Sequence, residues 1–295
     1  MTFNIRNSKS LDGELSWQFR AERVCALIQK LQPDILCVQE AFRDQVDAIA
    51  GSLPKHSWFG VGRDDGKDEG EFVPIFCAPH LVRSGGDILN NSSSKFVFPK
   101  QFPRDLPRFA DSPAPPTERG DEYCDTRSVN LMPNGDLNGV LSEGLIECGT
   151  FWLSTTPEVP GSRSWDSACT RICTWVELAG LRIYNCHLDH KSSEARLEGV
   201  KVILKHLRSR EVPALLCGDF NANPASEPIQ YLLLEGLNDL AEGTGDTFNG
   251  FMNPAVFERI DYVFGYKIEE ASSVSVYGQE LASDHWPVIV DLWEA

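Results

Sequence analysis

Leu215-Leu216-Cys217-Gly218-Asp219-Phe220-Asn221-Ala222-Asn223-Pro224 is the stretch whose reading decides the fold. The apolar run over residues 212–217, broken at Pro213, reads as a short buried strand. It stops at Gly218 and releases Asp219 and Asn221 into a polar turn, and Pro224 bars regular structure straight afterwards. Loops at strand ends are where rigid sheets carry reacting groups. An acid and an amide two residues apart can converge on one small anionic group: the acid takes a proton from water and the amide donates to an oxyanion. An Asx-type turn would account for Gly-Asp-x-Asn taken alone. The reading therefore depends on what the other strand ends supply.

Just upstream, residues 181–186 form a strand that runs into His187-Leu188-Asp189-His190. Gly180 turns this strand back on residues 168–178, giving a hairpin. Residues 193–208 read as a helix, with Val200, Ile203, Leu204 and Leu207 on its apolar face. Towards the N-terminus, residues 1–6 read as a strand with Phe3 and Ile5 on one face and Asn4 on the other. A core strand with no lead-in predicts a natural start upstream of Met1. Residues 17–32 read as a helix that turns Phe19, Val24, Leu27, Ile28 and Leu31 inward and Arg20, Glu22, Arg23 and Lys30 outward. Pro33-Asp34 ends it, and residues 35–40 form a buried strand that finishes on Glu40. Residues 42–53 are a further helix, and residues 58–62 and 71–77 a pair of meander strands.

Periodicity fails over residues 79–143, which are rich in proline and polar residues; they read as an insertion or long loop, partly disordered, within one domain spanning 1–295. Regular structure resumes over residues 144–154, of which 149–154 read as a strand. After the opening stretch come a helix at 228–237, a strand at 258–264 carrying Asp261, an edge strand at 272–277, Ser283-Asp284-His285, and a last strand at 288–292. An aspartate between apolar neighbours, as Asp261 is, needs a cation, a donor or a histidine.

The 295 residues carry a formal net charge of −16, with 42% hydrophobic and 24% charged residues, an ordinary balance for a globular chain. Such a negative field repels long polyanions and disfavours duplex DNA, while a bound divalent cation can still invert the field locally for a small phosphate ester. No apolar stretch is long enough to span a bilayer. With no signal-peptide core at the N-terminus, a cytoplasmic chain is expected, monomeric in our reading. Of the nine cysteines, Cys25, Cys37, Cys173, Cys186 and Cys217 lie in apolar runs, where buried free thiols are the default. No Cys-x-x-Cys pair points to zinc.

Asn4, Glu40, His187, Asp219, Asn221, Asp261, Asp284 and His285 thus all fall within or at the ends of expected strands. The chemistry this set suits is metal-assisted attack of water on phosphorus. In chain order, Thr2-Phe3-Asn4, Gln39-Glu40, His187-Leu188-Asp189-His190, Gly218-Asp219-Phe220-Asn221, Arg259-Ile260-Asp261-Tyr262 and Ser283-Asp284-His285 resemble the motifs of the endonuclease/exonuclease/phosphatase superfamily, the fold of DNase I. The resemblance covers nearly the whole chain apart from 79–143, where relatives usually have a short connection. Residues 149–154, Trp165-Asp166 and Arg171 also resemble a branch common among microbial proteins.

The resemblance implies an α/β protein, a four-layered sandwich of two packed, mainly antiparallel sheets flanked by helices. It implies Glu40 as principal ligand of Mg²⁺ (Mn²⁺ as the alternative), with Asn4 beside it and Asp284 near the metal. His187 and Asn221 would contact the scissile phosphate, Asp219 would position or activate water, and Asp261 would pair with His285. Arg171, Asp189 and His190 would bind substrate. The expected activity is hydrolysis of a phosphomonoester or phosphodiester, on a small phosphorylated substrate or nucleotide rather than duplex DNA. The alternatives are an RNA or single-strand nuclease and a non-catalytic phosphate-binding module.

Overall fold

The computed structural model describes residues 1–82, 145–178, 180–278 and 281–292, and for 145 and 146 the backbone alone. Its strands are β1 (Thr2–Asn4), β2 (Ile35–Gln39), β3 (Ser57–Phe59), β4 (Ile75–Cys77), β5 (Leu145–Trp152), β6 (Ile172–Leu178), β7 (Leu181–His187), β8 (Ala214–Asp219), β9 (Asn238–Asp239), β10 (Asp261–Tyr266), β11 (Ser273–Val276) and β12 (Val288–Asp291). Its helices are α1 (Trp17–Leu31), α2 (Arg43–Ser52), α3 (Pro79–Val82), α4 (Ser193–Leu207) and α5 (Glu227–Leu234). One sheet runs β11-β12-β1-β2-β4-β3 and the other β5-β6-β7-β8-β10-β9. Both are mainly antiparallel; β1/β2 and β7/β8 are the parallel pairs.

Alternation along each strand builds the layers. Phe3, Leu36 and Val38 turn away from the second sheet and pack with Val24, Leu27 and Ile28 of α1 and with Val46 and Ile49 of α2. Tyr184, Cys186, Leu216, Tyr262 and Phe264 turn the other way, onto Val200, Ile203 and Leu204 of α4 and Ile229 and Leu232 of α5. Cys37, Ile75, Ile183, Leu215, Cys217, Val263 and Val288 fill the space between the sheets. The order is helices, sheet, sheet, helices: the expected four-layered α/β sandwich. Burial pushes the inter-sheet thiols of Cys77 and Cys148 up to about 12.

The same period of two positions the site. Residues that continue the inter-sheet face toward the C-terminal ends of the parallel strands are Thr2 and Asn4 on β1, Asn185 and His187 on β7, and Cys217 and Asp219 on β8. The buried inter-sheet core therefore turns polar at that end. The amides of Gln39 and Asn185 join the sheets there: Gln39 Nε2 donates to Asn185 Oδ1 at 2.6 Å and to Thr2 Oγ1 at 2.9 Å. Asn185 Nδ2 donates to the carbonyls of Val38 and Pro74 at 2.8 and 2.9 Å.

The structure corrects several expectations. The strand of the opening stretch does not stop at Gly218. It runs through to Asp219, which pairs with His187 on one side and Asp261 on the other. Gly218 permits this because β7 passes too close for a side chain: at φ +146° an added Cβ would lie 2.0 Å from the Cys186 carbonyl oxygen. On α1, Phe19 is 58% exposed and Arg20 is fully buried, the reverse of the expectation. The buried stripe is Trp17-Arg20-Val24-Leu27-Ile28, spaced for one helix face. The meander strands are shorter than expected, and β9 was not anticipated. The insertion expected over 79–143 lies outside the described residues except for its first four, which form α3.

Beyond β7, Asp189 ties down the loops beside the site. Its Oδ1 accepts from the backbone N–H groups of Lys191 (3.0 Å) and Ser192 (2.8 Å). Its Oδ2 accepts from Ser167 Oγ (3.0 Å) and Ala168 N (2.9 Å). Ser192 Oγ then caps α4 by accepting from Ala195 N at 3.1 Å. Burial works against the carboxylate charge, but these donors and Arg171 outweigh it and bring the Asp189 pKa to about 2.

Gly218→Ala is expected to destabilise the chain by at least about 3 kcal/mol, because two strands would have to part; a denaturant melt reads this directly. Asp189→Asn is expected to cost about 2–3 kcal/mol at neutral pH, the scale of a charge-assisted hydrogen bond left unmade. A depressed carboxylate stabilises the fold above its unfolded value and ceases to as pH falls through its folded one. The stability gap between wild type and variant therefore closes as pH falls from 3.8 through about 2, measured as melting temperature against pH.

Candidate active site

Asn4 links the two sheets' acids. Its Nδ2 donates to Glu40 Oε1 at 3.1 Å and to Asp219 Oδ2 at 2.9 Å. Simple alternation would turn Glu40 to the helix side, away from Gln39's face. Glu40 instead adopts a left-handed backbone, φ +63°, a conformation costing about 1–2 kcal/mol outside glycine. That turn brings its carboxylate to Asn4 and, through Oε2, to the backbone N–H and side-chain amide of Asn7 at 3.1 and 2.9 Å.

His187 Nε2 lies 3.5 Å from Asp219 Oδ2. His285 Nε2 lies 3.8 Å from the same oxygen, and His285 Nδ1 lies 2.8 Å from Asp261 Oδ2. Asp261 is held by its own backbone N–H, which with that of Ile260 donates to Thr247 Oγ1 at 3.0 Å. Asn221 is left-handed (φ +47°); its backbone N–H donates to Asp219 Oδ1 at 2.8 Å and its Nδ2 to the Leu188 carbonyl at 3.0 Å. Asp284 stands at the rim: Ser283 Oγ donates to it at 3.2 Å and Arg6 Nε lies 3.7 Å away.

Burial and mutual repulsion set the charges. Asp219 is raised to about 7, by burial first and by Asp261 second. Burial alone would lower His285, but Asp261, with Asp219 and Asp284 behind it, raises it to about 10, so the imidazole is cationic at neutral pH. Glu40 goes the other way: burial opposes its charge, yet His285, the Asn4 and Asn7 amides and Arg6 keep it lowered. Asp284 is raised, chiefly by burial. His187 is lowered well below its usual value, by burial and then by Arg171 and Arg63.

The residues expected to bind substrate gather on the far flank of His187. Arg171 is 5% exposed; its Nη2 meets His190 Nδ1 at 3.1 Å and its Nε lies 3.7 Å from Asp189. Arg171 Nη1 is buried with no hydrogen-bond partner. His190 is exposed. Asp189 faces backbone donors on both oxygens, so its reach toward a ligand passes through Arg171. Sequence reasoning missed Glu71 and Asn7. Glu71 Oε2 lies 3.9 Å from His187 Nδ1 and is paired with Arg63. It opens the run read as a strand over 71–77, directly after a charged turn, where no apolar run precedes it to mark a strand end. Asn7 follows the Asn4 motif by three residues, and its polarity beside a strand end was the available signal.

The donors fit a divalent cation. Among the described residues, Glu40, His187 and Asp219 each bring a ligand atom within 4.8 Å of the others, and Asp219, Asp261 and His285 form a second such set. Asp261 Oδ1 is buried with no hydrogen-bond partner. Carboxylate oxygens are the hard donors that Mg²⁺ takes; Asn4 turns its Nδ2 to Glu40 and Asp219, and its Oδ1 accepts from the Arg6 backbone N–H at 3.0 Å.

Proteins of known structure share this fold. Solved structures with the same fold include an endonuclease/exonuclease/phosphatase from Bacteroides vulgatus, 25% identical with a TM-score of 0.73, covering 99% of this chain and 97% of that one. The Bacteroides thetaiotaomicron mannosyl-6-phosphatase is also 25% identical, with a TM-score of 0.70 over 99% and 98% of the two chains. TDP2 from D. rerio, complexed with a single-strand DNA product, is 16% identical and shares the fold with a TM-score of 0.60 over 98% and 96%. No curated protein matches. Among the described residues, no helix is long and apolar enough to cross a membrane. The family model for the Endonuclease/Exonuclease/phosphatase family matches residues 1–285, and the chain belongs to that family.

Proposed function

We propose that the chain is a divalent-metal-dependent phosphatase acting on small polar phosphomonoesters, sugar phosphates foremost, with Mg²⁺ as the cation and Mn²⁺ as its substitute. The observation that carries this reading is the Asn4 amide held between Glu40 of one sheet and Asp219 of the other, 3.1 and 2.9 Å away. It brings the acids of both sheets to bear on one small anionic group.

In this reading Glu40 and Asp284 would ligate the cation and Asn4, beside Glu40, would help hold it there, with Asp219 and His187 at its edge. When bound, the cation neutralises phosphate oxygens and the leaving alkoxide. Asp219, raised to about 7, is tuned to take a proton from the attacking water near neutral pH. Asp261 holds His285 at Nδ1, so the cationic ring offers its Nε2 proton to a phosphate oxygen. Asn221 Nδ2 carries a second proton that its bond to Leu188 does not use. It and His187 are the further donors. Arg171 and His190, on the flank, receive the remaining charge of a monoester, a role supported by the unpartnered Nη1 of Arg171.

Two observations favour a small monoester. The net charge of −16 disfavours long polyanions. The similar Bacteroides thetaiotaomicron protein is a mannosyl-6-phosphatase. A monomeric, cytoplasmic enzyme belongs to the same reading, and the free thiols of every described cysteine support a reducing compartment.

Hydrolysis of a panel (hexose phosphates, inositol phosphates, a nucleotide, bis-p-nitrophenyl phosphate, oligo-RNA and plasmid DNA) with and without Mg²⁺ tests this. Turnover is expected to be fastest on a hexose phosphate and to vanish on chelation. Asp219→Asn and Glu40→Gln are each expected to lower kcat by about 10³-fold, within the range for lost acid–base or metal assistance. Undiminished turnover in both variants would sink the mechanism. A preference for oligo-RNA that collapses with added salt would make the chain a nuclease, and phosphate binding without turnover a binding module.

A further inference from the structure

We propose that Arg20 is a positioning residue for the cation-holding edge of the site: its guanidinium fastens the chain that follows Asn4 to the chain that precedes Asp284. Arg20 is fully buried on α1. Its Nη1 donates to the carbonyls of Ile5 at 2.9 Å and Ala282 at 2.7 Å. Its Nη2 donates to the Arg6 carbonyl at 3.3 Å and its Nε to the Leu15 carbonyl. The Phe251 ring covers it, 5.4 Å away. Ile5 is one residue past Asn4, and Ala282 two residues before Asp284.

An apolar residue would pack the α1 stripe without taking a charge out of water; among the described residues, the Arg20 cation meets that cost with carbonyl partners and no carboxylate at salt-bridge distance. What the charge and the planar fork supply is geometry. Five donors in a fixed fan can hold four carbonyls from three separate segments; an ammonium on a flexible stem cannot. The segments so held converge on the same rim. Ser283 Oγ donates to the Asn4 carbonyl at 2.8 Å, Arg6 pairs with Asp12 at 3.0 Å, and Arg6 also approaches Asp284 at 3.7 Å. The Arg20 cation also attracts Asp284 electrostatically. Removing it frees the loop carrying Asp284 to drift from Asn4 and Glu40.

This inference rests on the reading of Glu40, Asn4 and Asp284 as the groups that hold the cation. The test is a double-mutant cycle on the full chain, with Mg²⁺ alone titrated by calorimetry and melting temperature measured beside it. Arg20→Lys and Asp284→Asn are each expected to weaken Mg²⁺ binding on the order of tenfold, as loss of a supporting contact around a metal does. The double variant is expected to bind no more than about twofold weaker than Asp284→Asn, since both act through one group. Arg182→Lys is the comparator. Arg182 is buried beside Glu177 (2.7 Å) near the β6–β7 turn, and its variant is expected to melt earlier with unchanged Mg²⁺ affinity.

An additive, roughly hundredfold loss in the double variant would overturn the proposal. So would wild-type Mg²⁺ affinity in Arg20→Lys, or equal losses in Arg20→Lys and Arg182→Lys. Wild-type affinity in Asp284→Asn would overturn the reading of Asp284 as a metal group and the role of Arg20 with it. If Arg20→Lys does not fold, Arg20→Gln, shorter and uncharged, runs the same cycle with the same outcomes.

Discussion

Two side-chain amides, Gln39 and Asn185, hold the molecule's halves in register. Apolar contacts between facing sheets attract without direction, so Cys37, Ile183 and Cys217 alone would let one sheet slide over the other. The 2.6 Å bond from Gln39 to Asn185, and the bonds from Asn185 to the Val38 and Pro74 carbonyls, are directional. Asn185 sits one step inward from His187 on β7, and Gln39 lies level with Asn4 on the neighbouring β2. With that step fixed, Asn4 on the first sheet has Asp219 on the second within hydrogen-bond reach.

The site is therefore the polar end of the inter-sheet core rather than a pocket added to it. The parallel pair of each sheet brings two strand ends there. Asn4 and Glu40 come from one sheet, His187 and Asp219 from the other. The burial that makes the core stable disfavours charge on the site's acids: burial and the neighbouring Asp261 raise Asp219, while at Glu40 burial is outweighed by His285, the Asn4 and Asn7 amides and Arg6. His285, made cationic by the same acids, is the counter-charge the fold itself provides.

Strand ends were legible because they combine an apolar run with an abrupt polar residue, a local pattern. The four-layered architecture was implied by the family resemblance of the motifs in chain order. Of the central cluster, Asn4, Glu40, His187 and Asp219 stand at the ends of apolar runs, Asp261 within one, and Asp284 and His285 just before the last strand. Arg20 and Phe19 were not legible. Helical spacing ranks an aromatic as inward and a cation as outward, and the carbonyls that draw Arg20 inward include Ala282, far along the chain. Glu71 reaches His187 from the first position of the run read as a strand over 71–77, where no preceding apolar run marks it as a strand end. Gly218 looked like a strand terminator because glycine usually breaks a strand; the close passage of β7 that demands it is a tertiary fact.

The order in which the strands enter the two sheets has a consequence for engineering. β1 to β4 all precede residue 83, and β5 to β12 all follow residue 144. A chain divided between those points carries Asn4 and Glu40 on one piece and the histidines and aspartates of the cluster on the other. Reassembly must dock the edge of β1, with β2, β4 and β3 already beside it, onto β12 of the other piece. Neither piece holds a complete set of reacting groups, so catalytic output becomes a report on whether the two pieces have met. That is the logic of a split reporter, with its background set by this edge pairing rather than by residual activity in either piece.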